Sequence, residues 1–279
     1  PDPTMTLRPF SDRVREAFGR RVATYEPMAP LQRAMAWRLA GVAARHGARR
    51  PGVWPEGPCA DLGAGTGLVG RALAAWRVPL PAPPLQVDLS PEALARNGAG
   101  PPLVWDLNQG LPPRLRGAAL LSSSFALQWL EAPAEALARW GEALAPGGWL
   151  LVSVPTAGSF SEWRLAAERA GVPCSALPFP PAAALRAAVA RAGLHPVRAS
   201  TLTFAGPPSA AVTGPLEALR ALRAIGADAS RQDGPLSPGG WRRLLAAWPA
   251  GGRLSWEVWV LLARKPLAVP LEGEAPCGW

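Results

Sequence analysis

Lysine is almost missing from this chain of 279 residues: Lys265 is the single one, so the formal net charge of +9 is carried by arginine. Tyrosine occurs once, at Tyr25, and histidine twice, at His46 and His195. The three cysteines, Cys59, Cys174 and Cys277, are scattered, odd in number and without metal-ligand spacing. That argues against a disulfide framework and against a zinc site, and fits reduced thiols. No metal is expected. No apolar run approaches the ~20 residues that a membrane span needs. No charged-then-apolar leader is read at the start. A cytoplasmic protein without a membrane partner is the expectation.

What is present points to a packed α/β chain. Hydrophobic residues make up 49% and charged residues 18% of the sequence, the balance of a globular chain with a core. The arginines are dispersed along helical stretches and form no nucleic-acid module. Their sum still permits an acidic partner, whether nucleic acid or an acidic carrier protein.

The stretch Cys59-Ala60-Asp61-Leu62-Gly63-Ala64-Gly65-Thr66-Gly67-Leu68-Val69-Gly70 organises the rest. An apolar strand carries an aspartate, three glycines alternate, and a helix-compatible run follows. The glycines allow positive φ and leave no Cβ between the main chain and a ligand. The helix start offers free N–H groups to a negative group. The spacing D-x-G-x-G-x-G is neither G-x-G-x-x-G nor a phosphate loop.

Leu85 to Ser90 reads as the second strand, and Ser90-Pro91-Glu92 as a capped helix start. Asp88 therefore ends strand two, a little over ~20 residues past the glycine loop, where an acid holds ribose hydroxyls. Leu103 to Asp106, Ala118 to Ser123, Trp149 to Val154, Val197 to Phe204 and Leu254 to Ala263 read as five further strands. Between them lie helices at Leu137 to Leu144 and Ala182 to Ala192. The alternation implies a mostly parallel, doubly wound sheet. Two N-terminal helices are expected, one capped by Ser11 and one from about Leu31 to Arg45. Inserted helices are expected at Gly158 to Ala170, Leu216 to Ile225 and Trp241 to Trp248. The expected organisation is a helical lid at 11–50, a domain at 51–265 with insertions near 156–180 and 207–250, and a disordered tail at 266–279.

The glycine loop resembles motif I of the class I S-adenosylmethionine-dependent methyltransferases. Further segments resemble one branch of that family, the malonyl-acyl-carrier-protein O-methyltransferases of biotin synthesis. They are Phe18, Tyr25 and Ala29-Pro30-Leu31-Gln32, then Asp88-Leu89-Ser90, Ser123-Ser124-Phe125-Ala126-Leu127-Gln128-Trp129, Gly158 to Glu162, Phe179-Pro180-Pro181 and Leu222 to Ala227. Two positions depart from the usual pattern: Ser123-Ser124 replaces Ser-Asn, and Ala64 replaces a cysteine. The resemblance implies a Rossmann-like fold with a seven-stranded sheet and helices on both faces. It implies S-adenosylmethionine as cofactor and S-adenosylhomocysteine as product.

It also implies roles. Asp61, Gly63, Ala64, Gly65 and Gly67 wrap the methionine end, Asp88 the ribose and Leu89 the adenine, with Asp106 and Leu107 at the adenine amino group. Tyr25 and Gln32 belong to a lid. Ser123, Gln128 and Trp129 position the acceptor, with no general base. The implied acceptor is the carboxylate of a malonyl thioester on an acidic acyl-carrier protein, or on coenzyme A, and the enzyme is expected to be a monomer. Arg20, Arg21, Arg33, Arg164, Arg223, Arg242 and Arg243 are candidates for gripping the carboxylate or docking the carrier, with Arg220 beside them. The rival readings are a methyltransferase for another small carboxylate, a hydroxyl or RNA, and a methyltransferase-like assembly protein without turnover.

Overall fold

The structure, a computed structural model, describes residues 9–48, 54–205, 215–226, 236–249 and 254–267. Its centre is a seven-stranded sheet built from β1 (Cys59–Leu62), β2 (Leu85–Asp88), β3 (Pro102–Val104), β4 (Ala118–Ser124), β5 (Leu144–Pro155), β6 (His195–Ala205) and β7 (Ser255–Arg264). The order is β3-β2-β1-β4-β5-β7-β6. The first five strands of that order run parallel, and β7 is antiparallel to both its neighbours. Strand order reverses between β1 and β4, and in open α/β sheets the crevice beyond that switch point takes the ligand.

Strands sandwiched on both faces read as unbroken apolar runs, and β1 and β4 are buried almost throughout. Period-two alternation then sorts neighbouring side chains onto opposite faces. Leu120, Leu151, Val258 and Val260 join one core with Met35, Leu39 and Leu73. Leu121, Leu150, Trp259 and Leu261 join the other with Leu137, Trp140 and Leu185. The first face is covered by α3 (Pro30–Ala48) and α4 (Leu68–Ala75), the second by α6 (Pro133–Glu142) and α8 (Ala182–Arg191). The short helix α5 (Pro91–Leu94) follows β2, with the Ser90 hydroxyl accepting from the Ala93 amide at 3.1 Å as its cap. Exposed β6 carries Pro196 at a register shift, the edge position at which proline is tolerated.

Helices α1 (Phe10–Arg21) and α2 (Tyr25–Met28) precede the sheet, and α7 (Ser161–Ala170), α9 (Pro215–Ala224) and α10 (Pro238–Ala246) are the insertions. Trp129, on the turn after β4, stacks on Phe10 with ring centroids 6.3 Å apart and meets the Phe18 edge at 5.3 Å. These contacts lay α1 across the carboxyl end of β4.

Several sequence boundaries shift for local reasons. Helix α1 begins at Phe10 with Pro9 in the cap position and no side-chain cap, so Ser11 is not the N-cap expected of it. Asp106 is not in the third strand: its carboxylate accepts from the Asn108 amide at 2.9 Å and caps a turn over Leu107–Gln109. Pro146-Gly147-Gly148 lies inside β5 at a register shift against β4. The expected tail lies outside the described residues from 268 onward.

Candidate functional site

The glycine loop folds back on its own sheet. The Gly63 and Ala64 amides donate to the Val87 carbonyl at 2.8 and 2.9 Å, binding the loop to β2. A Cβ on Gly63 would lie 2.1 Å from that of Ala126, so the loop and the turn after β4 touch only because this residue is glycine. Gly65 is different. Its φ is +51°, and a Cβ there would meet no atom within 4 Å, because it would enter open cavity space. Gly67 does not line the cavity; at φ +92° it starts α4, packed against Asn97. Asn97 in turn donates to the Gly65 carbonyl at 2.9 Å.

Two carboxylates face the cavity from β1 and β2. Asp61 is 1% exposed. One of its oxygens accepts from the Ser122 hydroxyl at 2.9 Å, and Oδ2 is buried with no partner among the described residues. Burial pushes this carboxyl up to about 7; the Ser122 hydrogen bond pulls against that and the nearby Asp88 adds to it. A cationic group of a ligand is what such an acid lacks. Asp88 accepts from the Gly65 amide and the Ser90 amide, both at 2.8 Å, which aims its carboxylate at the loop. Burial raises its pKa while those backbone donors lower it. Its remaining lone pairs suit a pair of hydroxyls.

A cavity surrounds these groups. Leu89, Trp105, Leu107 and Asn108 line it beside Asp106, an apolar stretch with polar neighbours. Tyr25, Gln32 and Trp129 line its other end. A second cavity opens next to it, and Phe18, Tyr25, Gln32, Phe125 and Trp129 line both. The second is walled by Phe160, Trp163, Phe179 and Trp256, brought in by α7, β7 and the loop before α8. Phe125, at the junction, has φ +54°, a left-handed conformation rare for a bulky residue. Its amide donates to the Ser153 carbonyl at 2.9 Å, so pairing to β5 holds it there. Burial, then the fields of Asp88 and Glu26, push the Tyr25 phenol above its ordinary value, so it keeps its proton at neutral pH.

The expected residues divide clearly. Asp61, Gly63, Ala64, Gly65, Asp88, Leu89, Asp106, Leu107, Tyr25, Gln32 and Trp129 come together on the first cavity, and Gln128 lines the second. Ser123 is fully buried behind the wall, its hydroxyl donating to the Leu62 carbonyl at 2.8 Å; Ser124 faces the cavity in its place. None of Arg20, Arg21, Arg33, Arg164, Arg223, Arg242 and Arg243 lines either cavity. Arg20 pairs with Glu16 at 2.6 Å, Arg164 donates to the Ala157 carbonyl at 2.6 Å, and Arg243 to the Ala170 carbonyl at 3.3 Å.

Sequence reasoning passed over Arg15, Thr66 and Trp105, which line the first cavity. It also passed over Arg71, which donates to the Thr66 and Asn97 carbonyls and pairs with Glu26 of α2 at 2.5 Å. No local pattern marks such a residue, since its partners are distant in sequence.

The donor set fits S-adenosylmethionine: an unpartnered buried acid for the amino group, a backbone-aimed acid for the ribose, and an apolar stretch for the base. The comparisons agree. A family model described as a methyltransferase domain matches residues 20–199. The malonyl-[acyl-carrier protein] O-methyltransferase of Alcanivorax borkumensis is 30% identical over 267 residues, covering 90% of this chain and 86% of that one. The biotin biosynthesis bifunctional protein BioCD of Bordetella avium is 33% identical over 178 residues, 61% of this chain and 35% of its own length. Among solved structures, a Bacillus halodurans protein assigned as a methyltransferase superposes with a TM-score of 0.55 at 14% identity, covering 81% of this chain and 98% of that one, a likeness of fold. The chain belongs to the family of S-adenosylmethionine-dependent methyltransferases that includes malonyl-[acyl-carrier protein] O-methyltransferase.

Proposed function

We propose that this enzyme methylates the free carboxylate of a malonyl thioester, carried by an acidic acyl-carrier protein, and so forms a methyl ester. The observation that carries the reading is the similarity, over 90% of the chain, to a protein named for that reaction. The site supports it chemically. A carboxylate is ionised at neutral pH, since such groups titrate near ~4, and needs no base. Neither histidine lines either cavity, and Tyr25, which does, holds its proton.

When bound, S-adenosylmethionine supplies the methyl group: the bond to the carboxylate oxygen forms as the sulfonium carbon–sulfur bond breaks, its electron pair stays on sulfur, and no proton moves. The chain's own residues bind, align and dry the reactants. Asp61 holds the amino group, Asp88 the ribose hydroxyls, and Leu89 and Leu107 the base. Tyr25, Gln32 and Trp129, lining both cavities, set the approach of the acceptor. Alignment of this kind contributes up to roughly 7–11 kcal/mol. Residues 11–32, which give the first cavity Ser11, Val14, Phe18, Tyr25 and Gln32, act as a lid over it, while the rest of the expected lid up to 48 packs on the sheet as α3; Arg220, Arg223, Arg242 and Arg243 on α9 and α10 form the docking face for the carrier. Mass spectrometry of malonyl-carrier protein after incubation with the enzyme and cofactor tests the reading. A base-labile methyl ester on the malonyl group supports it; an unmodified carrier, with cofactor binding intact, overturns it.

A further inference from the structure

The second cavity has a chemistry that neither the family match nor the charge of the chain foretells. Among the described residues thirteen line it, and no Arg, Lys, His, Asp or Glu is among those thirteen. Its polar groups are neutral. The Gln32 amide is 6% exposed and makes no hydrogen bond among the described residues. The Trp163 indole N–H and the Ser175 hydroxyl are buried without partners, and Gln128 spends its amide N–H on the Phe125 carbonyl at 2.7 Å, leaving its buried Oε1 without a partner among the described residues. Unpaired buried donors are costly, and the Trp163 and Ser175 donors belong to residues around one chamber.

Resting on the carboxylate reading above, we infer that the second cavity is the acceptor chamber, and that it holds the carboxylate through the neutral donors of Trp163, Ser175 and Gln32 and not through an arginine. The physical reason lies in where charge goes. The attacking oxygen loses negative charge as its new bond forms, so a cation gripping it would stabilise the ground state more than the transition state and raise the barrier. Bidentate arginine pairs are the stronger case of that grip. Neutral N–H and O–H donors fix orientation with less ground-state stabilisation, and an ester product holds them less tightly than an anion does. The aromatic walls, with Phe160 and Trp256 at 4.5 Å between ring centroids, exclude the water that would otherwise solvate the anion.

The test is steady-state methyl transfer to malonyl-pantetheine, which removes carrier docking from the measurement. Trp163→Phe and Ser175→Ala each raise KM about tenfold, kcat changes less than threefold, and the cofactor Kd from calorimetry is unchanged. Ser175→Thr restores KM, which separates hydrogen bonding from packing should Trp163→Phe loosen the core. Arg20→Gln, Arg33→Gln and Arg164→Gln leave KM within twofold. The carboxamide isostere of malonyl-pantetheine inhibits with a Ki within about tenfold of KM, because neutral donors serve an amide carbonyl almost as well. Wild-type KM in both chamber variants, a tenfold rise in an arginine variant, or no inhibition by the carboxamide overturns the inference. A wild-type enzyme that binds cofactor but never methylates malonyl-pantetheine defeats the carboxylate reading itself, and this inference with it.

Discussion

Asp61 shows how much one side chain's surroundings decide. Its folded pKa is raised from 3.8 to about 7, chiefly by burial. The sign follows from the raised direction: the carboxyl's contribution to unliganded stability is full below about 4 and is lost as pH rises through about 7. Asp61→Asn removes that slope, so the difference in thermal stability between variant and wild type grows from pH 4 to 7, at ~1.4 kcal/mol per unit at most. Cofactor binding runs the opposite way, since the ionised acid is the form that pairs with an ammonium. Wild-type affinity measured by calorimetry rises as pH approaches 7 and falls again once an α-amino group deprotonates near ~8. In Asp61→Asn the acid limb is flat and affinity is about thirtyfold weaker. Gly65 is the complementary case. Gly65→Ala places a Cβ in the cavity at φ +51°, costing ~1–2 kcal/mol for the left-handed backbone and at least tenfold in cofactor affinity, with the fold retained by circular dichroism. Both residues were legible in the sequence, because a strand-ending acid and alternating glycines are local patterns. The unpartnered state of Asp61 Oδ2 was not, since it depends on Ser122 in β4.

At the scale of elements, the N-terminal helices meet the glycine loop through Arg71, which joins the Thr66 carbonyl, the Asn97 carbonyl and Glu26 of α2. Arg71→Met cuts this clasp. Hydrogen exchange across residues 10–28 should quicken and the cofactor should leave several times faster, while its association rate stays within twofold; unchanged exchange would show that the clasp does not hold the lid. The proposed carrier face lies on α9 and α10. Arg242→Glu with Arg243→Glu lowers kcat/KM for malonyl-carrier protein at least tenfold and leaves malonyl-pantetheine turnover and cofactor affinity alone. Equal loss on both substrates would contradict a docking role. Helix and strand placement was legible here because periodicity is local. The start of α1 and the length of β5 were not: stacking on Trp129 and pairing with β4 and β7 set them from outside.

For the whole molecule, the order β3-β2-β1-β4-β5-β7-β6 places the glycine loop, Asp88 and the turn after β4 around one crevice. Alternating strands and helices announced that architecture, and the D-x-G-x-G-x-G spacing announced which end of it binds. The acceptor side was far less legible. Phe125, Phe160, Trp163, Phe179 and Trp256 come from four separate stretches of the chain, distant from one another in sequence. The seven arginines named to grip the carboxylate or dock the carrier stay out of both cavities. Counting cations in a sequence cannot tell a solvated helix face from a pocket wall.

The central claim is that the methyl acceptor is the malonyl carboxylate. Its most direct test is transfer from labelled S-adenosylmethionine with malonyl-carrier protein and acetyl-carrier protein in parallel, the second lacking only the carboxylate. The account predicts label on the malonyl form and background on the acetyl form. Equal label on both, or none on either while the cofactor binds, would contradict it.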